Sequence, residues 1–457
     1  MDLSKYKRVH FIGIGGISMS GLAEILTSRG FQVSGSDMAA STLTSRLSEL
    51  GIDIKIGHRA ENITPDIELV VYTAAVNGGN PELAAAQAKG IEVIGRAQLL
   101  GLLMDEYAYA VCVAGTHGKT TTTSMLAEIF IAAGVDPTVS VGGILPSIGG
   151  NIRLGHSEYF IAEGCEYRDS FLKFRPYVSI VLNMGFDHVD YFKDFEQLTG
   201  SFRKFAQNIR PEGALVIHGQ TPNLQEITRG LDRKVITFGA EGTDLCMQAL
   251  QFDENGCAGF EPVYKGRIMP CMQLCVPGEH NASDALAAMA AALCLELDET
   301  HIYRALEGYS GVHRRFEIKG KCNGALVVDD YAHHPTEIRA SLLAAKRRQH
   351  NRLWCVFQPH TFSRTRELIS EIAMSFVDAD EVIVVDIYAA REPNTGLVHS
   401  SEVAERINAV GTSCRYISGF GNVEKFLREQ AMPNDMLITM GAGDVYLIAE
   451  ALADKSY

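Results

Sequence analysis

Short apolar runs alternate with amphipathic stretches along the whole chain. Residues 9–14 form an apolar run typical of a buried strand, 22–29 repeat apolar positions at helical spacing, and 31–34 form a second run. Because strands that alternate with helices build parallel sheets, this pattern predicts α/β domains. Further strands are predicted at 69–73, 91–94, 110–114, 159–162, 178–182, 325–328, 353–357, 381–386 and 436–440.

The strand predicted at 110–114 leads directly into a glycine-containing loop and a helix that ends near Gly134. Loop N–H groups and a helix N-terminus together bind phosphate. The loop, Gly115-Thr116-His117-Gly118-Lys119-Thr120, departs from the usual phosphate-loop pattern because Val113 stands where the first glycine is expected. A turn that merely contains a lysine is the alternative. Gly-Lys-Thr between a strand and a helix favours a nucleoside triphosphate site, with Lys119 at the phosphates and Thr120 on Mg²⁺.

A second glycine-rich turn follows the first predicted strand. Gly13 and Gly15 match the dinucleotide-binding pattern, but Ser18 stands at its third glycine. Asp37 ends the second strand, where a ribose or base is bound in such folds. The turn therefore predicts a nucleotide diphosphate site. Glycines that serve only a tight turn, and an NAD-dependent dehydrogenase that NAD titration would reveal, are the alternatives.

Length, charge and cysteine pattern narrow the class of protein. The 457 residues suggest about three domains. The net charge of −14 argues against binding to a nucleic-acid backbone. The ten cysteines form no CxxC or Cys/His ladder, so a zinc module is not expected. The N-terminus lacks a signal-peptide pattern, and no apolar run reaches membrane-spanning length, so we expect a cytoplasmic protein without membrane insertion.

Polar residues follow several predicted strands. Glu163 and His188 come after consecutive strands of the phosphate-loop region and are interpreted as Mg²⁺ ligands rather than solvated turns. Asn281 precedes a helix predicted at 285–294. Its side chain either caps that helix or contacts a purine. Asp330 and His333 follow the strand at 325–328 and are predicted to lie at the carboxyl edge of a third sheet.

Eight motifs together resemble the Mur ligase family, over nearly the full length of the chain. They are GIGGISMSGLAE at 13–24, AGTHGKTTT at 114–122, DHVDYF at 187–192, PGEHNASDALAA at 277–288, GVHRRFE at 311–317, DDYAHHPTE at 329–337, FQPHTFSRT at 357–365 and MGAGD at 440–444. Within the family, the first and sixth resemble the branch that joins L-alanine to UDP-N-acetylmuramate in peptidoglycan synthesis. The resemblance implies a Rossmann-like UDP-binding domain at 1–106, a P-loop ATPase-type domain at 107–312 and a C-terminal Rossmann-like domain at 313–457.

The resemblance also implies ligands for each site. UDP-sugar contacts are implied at Gly13, Gly15, Gly16, Ser18, Met19, Ser20, Gly21, Ser36, Asp37 and Thr73. ATP contacts are implied at Gly115, Thr116, His117, Gly118, Lys119, Thr120, Thr121, Asn281, Arg315 and His360, and Mg²⁺ ligands at Thr120, Glu163 and His188. Tyr331, His333 and Arg364 would bind the amino acid, and Lys119, His188, Asp330, His333 and Arg364 would act in catalysis. The implied reaction forms an acyl phosphate, from which the amine of alanine then displaces phosphate.

Two departures and three alternatives accompany this interpretation. Thr361 stands where an arginine is frequent in the family, and Gly164-Cys165 replace part of an acidic cluster. Mn²⁺ is expected to substitute for Mg²⁺ because His188 is a softer ligand than Mg²⁺ usually selects. The alternatives are a recycling ligase that attaches a whole peptide, a nucleotide-binding partner protein without activity, and the dehydrogenase. A monomer or homodimer is expected.

Overall fold

The computed structural model describes residues 1–73, 76, 78–186, 191–390, 392–394 and 396–453. The chain divides into two compact units, and each is described by itself. Unit 1 contains Met1–Cys246, Tyr264–Gly266 and Ala285–Ala305. Unit 2 contains Met247–Val263, Arg267–Asp284 and the described chain from Leu306 onward. The α/β fold class is confirmed, and the three predicted domain boundaries stay predictions.

The first sheet of unit 1 has five parallel strands in the order β3-β2-β1-β4-β5. The strands are β1 Arg8–Ile12, β2 Gln32–Asp37, β3 Asp53–Ile56, β4 Leu69–Tyr72 and β5 Glu92–Gly95, and the helices are α1 Ile17–Ser28, α2 Thr42–Glu49, α3 Pro81–Ala88 and α4 Arg96–Asp105. Strand order reverses beside β1, and a sheet of this kind binds ligands in the crevice at that point. The glycine turn that follows β1 lies there.

The second sheet of unit 1 is built around β6, the strand that carries the phosphate loop. Its order includes β11-β10-β6-β9-β7-β8, and β10, β6 and β9 are parallel. The bounds are β6 Tyr109–Ala114, α5 Lys119–Ala132, β7 Thr138–Leu145, β8 Gly150–Arg153, β9 Tyr159–Gly164, β10 Val178–Val181, α6 Phe195–Gln207, β11 Ala214–His218, α7 Leu224–Thr228, β12 Lys234–Gly239 and β13 Leu245–Phe252. Because β9 and β10 flank β6, the segments after all three strands meet at one edge.

Unit 2 has a six-stranded sheet in the order β17-β18-β22-β19-β20-β21, parallel except for the edge strand β17. Most of α8 Glu279–Cys294 and most of α9 Glu299–Glu307 belong to unit 1. The remaining elements of the chain are β14 Cys257–Tyr264, β15 Arg267–Ile268, β16 Met272–Pro277, β17 Glu317–Cys322, β18 Ala325–Asp330, α10 Pro335–Arg347, β19 Leu353–Phe357, α11 Phe362–Glu367, α12 Ile369–Ala373, β20 Glu381–Val384, α13 Ser400–Ala409, β21 Ser413–Tyr416, α14 Phe420–Gln430, β22 Met436–Met440 and α15 Tyr446–Leu452. The strand ends that carry the predicted polar residues therefore share one edge, as expected. Short 3₁₀ turns occupy Leu3–Lys5, Ala60–Asn62, Pro146–Ile148, Tyr167–Lys173 and Met374–Phe376.

Two predicted helix starts are wrong. The helix expected at 22–29 begins five residues earlier, at Ile17. The helix expected at 285–294 begins six residues earlier, at Glu279, so Asn281 lies in its first turn rather than before it. The Asn281 side chain donates a hydrogen bond to the Pro277 carbonyl at 2.7 Å. Apolar periodicity placed the start too late because the first turn of this helix is polar. Capping by Asn281 is thereby excluded.

Candidate functional site

The glycine turn after β1 is held by the end of β2. The N–H groups of Gly13 and Ile14 both donate to the Ser36 carbonyl, at 2.8 and 3.0 Å. The Gly15 N–H donates to the Asp37 carboxylate at 2.8 Å. Gly13 has φ +80°, and a β-carbon there would lie 2.7 Å from the Thr73 methyl group, so only glycine fits this turn. The structure thus brings the predicted residues Gly13, Gly15, Gly16, Asp37 and Thr73 to one turn.

Other residues of this predicted set lie inside the protein. Met19 and Ser20 are buried on α1, and Ser36 is fully buried. Gly21 has no space for a side chain, because a β-carbon there would lie 2.0 Å from Ile152. These positions pack helix and strand together, and their contact with a ligand remains a prediction. Ser18 lies at the start of α1, where it accepts a hydrogen bond from Arg96 at 2.7 Å.

The phosphate loop between β6 and α5 rests on the segment after β10. Asn183 accepts from the His117 N–H at 2.9 Å and donates to the His117 carbonyl at 3.0 Å. The Gly185 N–H donates to the Thr116 hydroxyl at 2.8 Å. Gly118, the N-cap residue before α5, has φ +83°, a left-handed conformation that favours glycine. The predicted strand–loop–helix arrangement is confirmed, and α5 ends as predicted next to Gly134, which has φ +70°.

Lys119 lies in this loop with a partner that the sequence did not reveal. Its ammonium group donates to the Gly115 carbonyl, to the Thr116 carbonyl at 3.0 Å and to the buried Glu166 carboxylate at 3.2 Å. Burial is the largest single effect and lowers the pKa of Lys119, but Glu166, Cys165 and Glu163 together outweigh burial and raise that pKa above its ordinary value. The lysine is therefore a full positive charge at neutral pH.

The side-chain oxygens of two predicted metal ligands, Thr120 and Glu163, face each other beside the loop. The Thr120 hydroxyl donates to Glu163 at 3.2 Å, and the other carboxylate oxygen of Glu163 accepts from the Gly142 N–H at 2.5 Å. His188, the third predicted ligand, lies outside the described residues. No cluster of three or more His, Cys, Asp or Glu side chains that would hold a metal occurs within the described ranges. Hydroxyl and carboxylate oxygens nevertheless suit Mg²⁺, which accepts water and phosphate oxygens as its remaining ligands.

In unit 2, two buried carboxylates end strand β18. Asp330 accepts hydrogen bonds from Ala332 N–H at 2.7 Å, from the Ser341 hydroxyl at 2.9 Å and from Phe316 N–H at 3.2 Å. Burial raises the pKa of Asp330 to about 6, against the opposing effect of Arg315. Burial also raises the pKa of Asp329, although Thr439 and Arg314 act in the opposite direction.

Arg314 connects the ends of two neighbouring strands. It donates to Asp329 at 3.1 Å, to the Gly443 carbonyl at 2.9 Å and to the Gly441 carbonyl at 2.6 Å. Its guanidinium lies over the rings of Tyr331 and Tyr446, at 5.0 and 4.5 Å from their centroids. Arg315 also lies over Tyr331, at 5.2 Å. Arg314 thus orders Tyr331 and the 440–444 turn, a role that the sequence did not indicate.

Four aromatic rings form a row along this edge of the sheet. The ring centroids of Tyr331 and His333 are 5.5 Å apart, those of His333 and His360 are 5.7 Å apart, and those of His360 and Tyr388 are 5.8 Å apart. Burial lowers the pKa of His333, and burial with His333 and Arg364 lowers that of His360 to about 4. Both imidazoles are neutral at pH 7. Tyr388 is a member that sequence reasoning missed.

The departure at Thr361 coincides with unusual backbone geometry. Thr361 has φ +59°, which is rare for a β-branched residue and is typical of strained positions in functional sites. It precedes α11, and Glu392 accepts hydrogen bonds from the N–H and hydroxyl of Ser363 at the start of that helix. Arg364, on the same helix, is close enough to lower the pKa values of His333 and His360. The structure thus brings His333, His360 and Arg364 together.

Family models match three consecutive parts of the chain. Residues 8–108 match the Mur ligase family catalytic domain, 113–292 the Mur ligase middle domain, and 314–443 the Mur ligase glutamate ligase domain.

Individual relatives are similar over the full length. The chain is 50% identical over 456 residues to the UDP-N-acetylmuramate–L-alanine ligase of Agathobacter rectalis, covering 100% of this chain and 99% of the relative. It is 49% identical to the ligase of the same name from Acetivibrio thermocellus, covering 100% of this chain and 97% of that protein. The crystal structure of UDP-N-acetylmuramate-alanine ligase MurC from Thermotoga maritima is 29% identical with a TM-score of 0.83, covering 97% of this chain and 98% of that one. The chain belongs to the Mur ligase family.

Proposed function

We propose that this chain is an ATP-dependent ligase that joins L-alanine to the lactyl carboxylate of UDP-N-acetylmuramate in peptidoglycan synthesis. The observation that carries the proposal is the 50% identity, over 100% of the chain, to a protein with that activity in its name. The substrates are ATP, L-alanine and UDP-N-acetylmuramate, and the product amide is formed at the expense of ATP.

In unit 1, the turn that Asp37 supports is proposed to hold the UDP part of the substrate, and the loop from Gly115 to Thr121 to hold the ATP phosphates. Two anionic reactants repel each other, so positive charge must offset this repulsion as the γ-phosphoryl group is transferred. Lys119 supplies such a charge. The lactyl carboxylate oxygen attacks the γ-phosphorus, and the bond between that phosphorus and the β–γ bridging oxygen breaks. ADP is the leaving group, and the sugar nucleotide becomes an acyl phosphate.

Mg²⁺ is proposed to bind at Thr120 and Glu163, with His188 on a second ion, and Mn²⁺ to substitute for it. When bound, the metal would neutralise phosphate charge during transfer. The oxygen ligands of Thr120 and Glu163, 3.2 Å apart, are of the type that Mg²⁺ prefers.

In unit 2, Tyr331, His333 and Arg364 are proposed to bind the amino acid. The guanidinium of Arg364 suits the alanine carboxylate. His333 is neutral because burial lowers its pKa, so it is in the form that accepts a proton from the alanine ammonium group. The neutral amine then attacks the acyl carbon, and the resulting tetrahedral intermediate expels phosphate. Asp330 is proposed to position Phe316 and Ala332, through their N–H groups, around this step.

Product analysis of the purified protein tests the proposal. ADP and phosphate release is measured with UDP-N-acetylmuramate, ATP and Mg²⁺ against a panel of amino acids that includes alanine, serine and glycine, with and without EDTA. We expect release that depends on alanine and is abolished by EDTA. Release only with a tripeptide would identify a peptide-recycling ligase instead, and no release with any acceptor would support a nucleotide-binding partner protein.

A cytoplasmic location is also proposed. All ten cysteines are free thiols, six of them buried or half-buried in strands of the sheets, and such thiols are typical of a reducing compartment. No helix within the described ranges has the length and hydropathy needed to cross a bilayer.

A further inference from the structure

A buried carboxylate lies beneath the glycine turn of unit 1. Glu82, in the first turn of α3, is fully buried. Its oxygens accept hydrogen bonds from the Ser36 hydroxyl at 2.6 Å, from the Arg59 N–H at 3.4 Å and from the Asn62 side chain. The Nδ1 atom of His58 lies 3.2 Å away.

The chemistry of these groups fixes the direction of the bonds. A carboxylate only accepts, so the Ser36 hydroxyl donates its single proton to Glu82. The Ser36 oxygen lies 2.9 Å from Nδ1 of His58, and with its own proton committed it accepts there. The proton of His58 therefore resides on Nδ1, shared between Ser36 and Glu82. Four donors thus converge on Glu82, and a fifth polar atom, Nε2 of His10, lies 4.0 Å from the carboxylate.

The network ends on the same residue that holds the glycine turn. The carbonyl of Ser36 accepts from the Gly13 and Ile14 N–H groups, and the next residue, Asp37, accepts from Gly15 N–H. Ser36 therefore donates its hydroxyl proton to Glu82, and its carbonyl oxygen accepts the hydrogen bonds that hold the turn. Burying a carboxylate is costly, and the four donors around Glu82 offset this cost while they fix the arrangement at the end of β2.

We propose that Glu82 is a positioning residue for UDP-N-acetylmuramate binding, acting through Ser36 on the turn at Gly13–Gly16. This inference rests on the proposed function, because it takes that turn as the site of the uridine diphosphate. Glu82 itself does not contact the substrate. Replacing it by glutamine keeps the size but puts an NH₂ group where one of the donors now points, so one bond must be lost and the end of β2 shifts.

The test compares four variants by steady-state kinetics and by calorimetry with UDP-N-acetylmuramate and with UDP alone. Glu82→Gln and Ser36→Ala both break the link between α3 and β2. Ser28→Ala is the matched control, because its hydroxyl bonds to the Ile25 carbonyl within α1 instead. Glu92→Gln is the control for charge, because that carboxylate is exposed and bonds to Tyr6.

For Glu82→Gln we expect a rise of about tenfold or more in KM and Kd for UDP-N-acetylmuramate, with KM for ATP within about twofold of wild type. Ser36→Ala should change the same constants in the same direction, and it keeps the test valid if Glu82→Gln does not fold. Both controls should behave as wild type. Unchanged sugar-nucleotide affinity in both link variants, or an equal rise in KM for ATP, would overturn the inference. A wild-type protein that binds neither UDP nor UDP-N-acetylmuramate would instead refute the proposed function.

Discussion

At the scale of single residues, the phosphate loop depends on the positive charge of Lys119, which is held by several hydrogen bonds. Lys119 is surrounded by two loop carbonyls and by the Glu166 carboxylate, and all three accept from its ammonium group. ATP phosphates are stronger acceptors than backbone carbonyls because they are charged. Binding of ATP is therefore expected to draw the ammonium group from the carbonyls toward the nucleotide, while Glu166 keeps it protonated.

Lys119→Ala should lower kcat by at least 100-fold, which corresponds to about 3 kcal/mol of lost transition-state stabilisation. Single-turnover formation of ADP is the measurement. Lys234→Ala, on the exposed side of β12, is the control and should retain full activity. Activity of Lys119→Ala within tenfold of wild type would refute the assignment of the loop to ATP. A lower melting temperature in this variant is expected as well, since Glu166 would be left buried without its cation.

His10 makes the stability of unit 1 depend on pH. It is 1% exposed, and burial lowers its pKa from 6.5 to about 4, against the opposing charges of Glu82 and Asp53. In the unfolded chain His10 binds a proton near pH 6.5, whereas in the folded protein it binds that proton only near pH 4. The stabilising effect is therefore complete above pH 6.5 and is lost as the pH falls toward 4, by about 3 kcal/mol in total.

His10→Asn removes this titration while it keeps a polar atom near Ser34. The free energy of unfolding is compared between pH 7.5 and pH 4.5 for both proteins. We expect the wild type to lose more stability across this range than the variant does. Equal losses would show that His10 is not responsible for the acid sensitivity.

At the scale of elements, the ends of parallel strands explain which residues meet. In unit 2, β18 and β22 are neighbours, so Asp329 and Asp330 at the end of β18 lie beside the 440–444 turn. Arg314 bridges them with three nitrogen atoms, Nε, Nη1 and Nη2, which the planar guanidinium holds in fixed geometry. A lysine has the same charge but cannot reach all three acceptors.

Arg314→Lys should therefore raise KM for alanine by about tenfold while KM for UDP-N-acetylmuramate stays unchanged. The reason is that Tyr331, predicted to bind the amino acid, loses the ring contact that holds it. Steady-state kinetics with each substrate varied in turn is the measurement, and Arg304→Lys on α9 serves as the control. If KM for alanine is unchanged, Arg314 supports the fold and does not position the amino-acid site.

Strand and loop positions could be predicted from the sequence, whereas partners distant in the chain could not. The strands at 353–357 and 436–440 were predicted with the bounds that the structure has, because each is an apolar run with polar flanks. The segment 214–277 contains strands that were not predicted, although the run ALVIH at 214–218 has the same apolar pattern as the predicted strands. Glu166 and Glu82 were also missed. Each acts through a residue more than forty positions away, and a single sequence contains no signal for such a pair.

At the scale of the whole molecule, different regions of unit 1 are assigned different ligands. The UDP site is proposed on the first sheet and the ATP site on the second, although one continuous apolar core runs through both. Asp37 belongs to the first sheet, where its carboxylate fixes the Gly15 N–H, and it has no bond to the phosphate loop among those found in the described residues. If the two ligands bind to separate sheets, a substitution at Asp37 should weaken the binding of UDP-N-acetylmuramate and leave the affinity for ATP unchanged.

Asp37→Ala should weaken binding of UDP-N-acetylmuramate by about tenfold or more and leave ATP affinity within about twofold of wild type. Two losses contribute, the acceptor for Gly15 N–H and the carboxylate proposed to bind the ribose. Calorimetry with each ligand separately is the measurement, with Asp53→Ala on the neighbouring strand as the exposed control. Equal loss of both affinities would mean that the two sites are not allotted to separate sheets. Loss of ATP affinity alone would reverse the assignment, and the glycine turn after β1 would then have to be a nucleoside triphosphate site.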